Sequence, residues 1–69
     1  MDIILQELRE RKDEIEKELE LLFKANMKIT DWDVPEADDK KAAEVLLDIM
    51  QKKLTAIRLD VADGKYDYY

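Results

Sequence analysis

The chain has 69 residues, a net charge of −6, 43% charged side chains, and one Gly and one Pro. A chain this short buries only ~60% of the surface its unfolded form exposes, so a core of its own is marginal. With no Cys and no His, neither a disulfide nor the usual metal ligands can reinforce it. The same absences, together with the lack of Ser, remove the common nucleophile–base constellations. The expectation is a non-enzymatic protein with no cofactor, no bound metal and no small-molecule substrate.

Richness in Glu, Lys, Leu and Ala is the composition of long helices and coiled coils. No apolar run approaches the ~18 residues needed to cross a membrane. The opening Met1-Asp2-Ile3-Ile4-Leu5 runs straight into charge and is not expected to act as a signal peptide. A soluble, cytoplasmic protein of a bacterial or host cell is expected. Residues 1–39 hold 6 basic and 13 acidic side chains, whereas 40–69 hold 6 and 5. The acid is therefore concentrated in the first half, which makes direct nucleic-acid binding unfavourable and suits a basic partner.

The first helix is expected over about 2–29. Its d places, Met1, Leu8, Ile15, Leu22 and Ile29, are all apolar; its a places are Leu5, Lys12, Leu19 and Asn26. Asp2 stands where negative charge complements the helix dipole. Glu7→Arg11, Asp13→Lys17 and Glu20→Lys24 are i,i+4 pairs in the favourable order.

Residues 30–35 are the expected turn. Pro35 cannot continue a helix but suits the first turn of a new one, which puts the start of the second helix near 36. Asp38 or Asp39 as N-cap is the alternative start. The second helix should run to about 63 and stop at Gly64, the natural left-handed terminator. Its stripe is Ala43, Leu47, Met50, Leu54, Ile57 and Val61, at spacings of four and three throughout. Residues 1–63 thus form one unit, and 64–69 a Tyr-rich tail.

Two helices of about 28 residues, or ~42 Å each, joined by a short turn imply an all-α antiparallel hairpin. A turn centred between Val34 and Pro35 pairs Leu8 with Val61, Lys12 with Ile57, Ile15 with Leu54, Leu19 with Met50, Leu22 with Leu47 and Asn26 with Ala43. This register leaves an apolar shoulder beside the seam. Phe23, Met27, Leu46 and Ile49 form it, near Trp32, and it is the expected protein interface. Two hairpins packed through it would make a homodimeric four-helix bundle.

Three further features compete with ordinary structural roles. Trp32 is ringed by Asp31, Asp33, Glu36, Asp38 and Asp39, an aromatic knob with acidic recognition groups for a basic pocket. The alternative is that Trp32 caps the core over Phe23 or Ile29. Asp31-x-Asp33 opens like a calcium loop, but Glu36 and Ala42 occupy the places that need Gly and Glu. Tyr66, Tyr68 and Tyr69 crowd the tail, either as aromatic anchors for a partner or as a cover for Ile3 and Leu5.

No specific motif ties the chain to a family. At the level of architecture the expected hairpin dimer resembles Rop, the plasmid RNA-binding hairpin dimer. That resemblance implies RNA contact through basic residues such as Lys40, Lys41, Lys52, Lys53 and Arg58. Small acidic helical chains also resemble phage and mobile-element products that bind and inhibit a host protein. The leading expectation is an acidic interaction module that binds and modulates a partner with a basic surface, nucleic-acid mimicry being one concrete form. A structural hairpin serving as assembly chaperone or scaffold comes second, and Rop-like RNA binding third.

Overall fold

The computed structural model describes residues 2–36 and 38–68, so the Tyr69 contact and the Met1 seam position lie outside the described residues. The fold is all-helical. Three helices stand among these residues where two were expected: α1 (Ile3–Glu10), α2 (Lys12–Asp33) and α3 (Asp39–Ala62).

Local chemistry sets each boundary. Asp2 caps α1, its Oδ1 accepting from the Ile4 and Leu5 backbone N–H groups at 3.0 and 3.3 Å. Arg11 interrupts the expected first helix, with φ −98° and ψ 2°. The ladder is only partly lost, because the Arg11 N–H still donates to the Glu7 carbonyl at 3.2 Å and the Ile15 N–H to the Arg11 carbonyl at 3.0 Å. The Arg11 side chain bridges the break, 4.0 Å from Glu7 and 3.9 Å from Glu14.

The first long helix does not end at Ile29 but runs through Asp33. Two polar side chains that favour turns are satisfied inside it instead. Asn26 Nδ2 donates to the Leu22 carbonyl and Thr30 Oγ1 to the Asn26 carbonyl, both at 2.9 Å. Val34 ends α2 at φ −131° and ψ 80°. It precedes Pro35, whose ring disfavours helical geometry in the residue before it.

The start expected near Pro35 is corrected to Asp39. Pro35 and Glu36 stay in the turn, and Asp38 is the N-cap, its Oδ1 accepting from Lys40 at 3.0 Å and Lys41 at 3.4 Å. At the other end Gly64, with φ +86°, closes α3 as expected. The Gly64 N–H donates to the Val61 carbonyl and the Lys65 N–H to the Asp60 carbonyl, the two bonds of a Schellman cap.

α2 and α3 pack against each other, whereas no Cα of α1 lies within 8 Å of one in α3. The expected Leu8–Val61 layer is therefore not formed. The half-buried residues toward the bend are Phe23, Asn26, Met27 and Thr30 on α2, and Ala42, Ala43, Leu46 and Met50 on α3. Asn26 and Thr30 fold back on their own helix, so the apolar members of this set mark where α2 and α3 meet. Relative to the expected a/d seam, both helices are rolled. On α2 the contact is carried by Phe23 and Met27; on α3 it shifts toward Leu46 and Ala42. Leu22 and Leu47, an expected seam layer, are each left 54% exposed.

No described residue is buried. The radius of gyration is 16.0 Å, against ~11 Å for a compact chain of this length. The apolar side chains are aligned but not enclosed.

Candidate interaction surface

The roll of α2 against α3 opens a groove on one side of their contact. It has a volume of about 690 Å³. Leu19 and Phe23 line it from α2, and Leu47, Met50 and Leu54 from α3. Phe23 and Met50 are the half-buried members of this lining. Leu19, Leu47 and Leu54, at 48, 54 and 44% exposed, form the open walls.

Carboxylates flank this apolar floor on both sides. Glu16 and Glu20 stand on α2, Glu44 and Asp48 on α3, and no Lys or Arg shares the lining. Three of the four have a lysine one turn away on their own helix: Lys12–Glu16 at 3.2 Å, Lys24–Glu20 at 3.4 Å and Lys52–Asp48 at 3.7 Å. All are solvent-exposed pairs, each worth ~0.3–0.5 kcal/mol at most. Glu44 forms no ion pair among the described residues.

This groove was not among the sequence expectations, although its signal is present in the sequence. Counting heptads from the apolar stripes, Glu16 and Glu20 fall on the same flank of the first seam as Glu44 and Asp48 do on the second. In the antiparallel pairing expected from the sequence, those two flanks share one side.

The residues expected at an interface separate into two groups. Phe23, Met27 and Leu46 are half-buried by the contact between α2 and α3. Ile49 is 59% exposed and does not line the groove. Leu22 and Ile29, at 54 and 57% exposed, also lie outside the groove.

Trp32 sits in the last turn of α2 rather than in a loop, beside Lys28, Ile29 and Asp33. At 86% exposed it does not cap a core. The five surrounding acids are exposed and divided between elements. Asp31 and Asp33 end α2, Glu36 is in the turn, Asp38 is engaged as a cap, and Asp39 opens α3. Asp31 and Asp39 are brought together. The hydrogen bond to Asp39, then desolvation, with the like charge of Asp39 contributing least, hold the Asp31 carboxyl above its ordinary value of 3.8.

Tyr68 is fully exposed and Ile3 is 80% exposed, so that ring does not cover the α1 end, while Tyr66 is more shielded at 38%. Among the described residues no group of three acids is arranged to hold a metal ion, and no helix is long and apolar enough to cross a membrane. No family model, no curated protein and no solved structure matches this chain.

Proposed function

We propose that the chain is a non-enzymatic interaction module, a helical hairpin of α2 and α3 extended by α1, that binds and modulates a protein with a basic surface. One observation carries this reading. The chain orders three amphipathic helices, yet none of its described residues is buried. Exposed apolar surface on this scale marks an interface, and a net charge of −6 selects a basic partner. The acids around Trp32 support the same polarity.

The test is to cross-link the chain to its partners in the cell of origin, purify any partner recovered in stoichiometric amount, and measure the affinity against salt. Affinity should fall by about tenfold or more when salt is raised severalfold. The triple change Asp31→Lys, Asp33→Lys and Glu36→Lys should weaken it further. Salt-independent binding would rule out the electrostatic reading.

A second reading is self-association into a four-helix bundle. The exposed side chains of Leu22, Ile29 and Ile49 favour it, since each lies outside the acid-flanked groove. A concentration-dependent mass in sedimentation equilibrium that reverts to one chain on Ile49→Asp supports the dimer. A single-chain mass at all concentrations removes it.

A further inference from the structure

We infer that the groove between α2 and α3 is a docking site for one amphipathic helix of a partner protein, with Arg or Lys on both flanks of its apolar stripe. This rests on the reading of the chain as an acidic interaction module, and adds where contact is made and what the partner presents.

The shape argues for a helix. Two antiparallel walls already supply two-thirds of a three-helix cluster. Leu47 and Leu54 are seven residues apart, ~10 Å along α3. An occupant of about three turns therefore spans the floor, with anchors at i, i+3 or i+4, and i+7. Leu19, Leu47 and Leu54, each more than two-fifths exposed, are the side chains it would cover.

The charge argues for a basic helix. The carboxylates stand on both walls, Glu16 and Glu20 facing Glu44 and Asp48 across the apolar floor, with no cation in the lining. A neutral helix would desolvate them without replacement. A nucleic acid would be repelled. A second copy of this chain, docked groove to groove, would bring the same four carboxylates to the same rims. An arginine-bearing helix reverses the sign at both rims. Its planar fork can bind a carboxylate through two hydrogen bonds, displacing the weak lysine pairs along each helix.

The test uses the full chain and three labelled 16-residue peptides. One has a Leu stripe flanked by Arg, the second has Glu in place of Arg, and the third is a scramble of the first with no apolar face. Anisotropy gives the affinities, and circular dichroism checks that variants keep their helix content. The Arg peptide should bind at least about tenfold more tightly than either control. Glu44→Lys with Glu20→Lys, both exposed positions, should cost a further tenfold or so, as should Leu47→Asp.

Equal affinity for the Arg and Glu peptides, or no binding of the Arg peptide at millimolar concentration, overturns the inference. So does a concentration-dependent dimer that loses its self-affinity with Leu47→Asp, which would make the occupant a second copy. If the Arg peptide binds but only Asp31→Lys and Asp33→Lys weaken it, the groove assignment falls while the acidic-module reading stands. That reading fails separately, on the salt-independence of the purified partner.

Discussion

Asp31, in the last turn of α2, and Asp39, the first residue of α3, meet across the bend with their carboxyls in hydrogen-bonding proximity. The two do not stand in equivalent fields. Asp39 lies at a helix N-terminus, where negative charge is favoured, and Asp31 at a C-terminus, where it is not. The raised pKa on Asp31 itself comes first from the hydrogen bond to Asp39 and next from desolvation.

The sign of the pH effect follows. Raised above 3.8 in the folded chain, Asp31 binds a proton more tightly folded than unfolded. Its contribution to stability is fully present below 3.8 and is lost as pH rises through the raised value. Asp31→Asn should therefore increase the thermal midpoint modestly at pH 7, and the gain over the unmodified chain should shrink to nothing near pH 3. Asp39→Asn should give less, because it also removes charge from the favourable end of α3. Paired melts across this range check both; a gain that grows toward acid pH contradicts the assignment.

The start of α3 gives a second prediction. Asp38 caps it and Pro35 does not enter it. Asp38→Ala should cost about 1 kcal/mol, and Pro35→Ala markedly less. Denaturant melts followed by circular dichroism separate the two, and a larger loss at Pro35 would restore the earlier helix start.

Gly64 supplies a third. Its φ of +86° lies in the left-handed region, and an added Cβ would come 2.9 Å from Asp67 Oδ2. The carboxylate is the end of a flexible side chain and can turn aside, so the backbone conformation dominates the cost. Gly64→Ala should cost about 1–2 kcal/mol and speed hydrogen exchange at the Lys65 amide, which closes the cap. Unchanged protection there would contradict the Schellman geometry.

A fourth concerns the helix contact. Leu46 is half-buried between α2 and α3, whereas its neighbour Leu47 is 54% exposed. In the isolated chain Leu46→Ala should cost roughly 1–2 kcal/mol, below the range for fully buried leucines, and Leu47→Ala well under 1 kcal/mol. With a groove-binding peptide present, the order of sensitivity in affinity should reverse. Equal destabilisation by the two changes in the free chain would contradict the observed roll.

Much of this protein was readable residue by residue. The helical class followed from the spacing of apolar positions, and the stop at Gly64 from its conformational freedom. The capping by Asp38 was readable only as an alternative to Pro35, since both residues suit a helix start. The extension of α2 through Thr30 was not readable, because Asn26 and Thr30 favour turns until their side chains find carbonyls one turn back. The break at Arg11 has no Gly or Pro to announce it.

What the sequence determined by itself is therefore each helix as an object: its apolar stripe, its caps and the acids on its flanks. These depend on neighbours three or four residues away. Only the tertiary structure decided how the stripes are shared. A roll of α2 against α3 costs the local pattern nothing, since each helix keeps its own hydrogen bonds. Yet it places Phe23, Met27 and Leu46 in the contact, turns Leu47 and Leu54 out into an acid-flanked groove, and leaves α1 without α3. Packing angle is set by the fit of two surfaces, and neither surface states it alone.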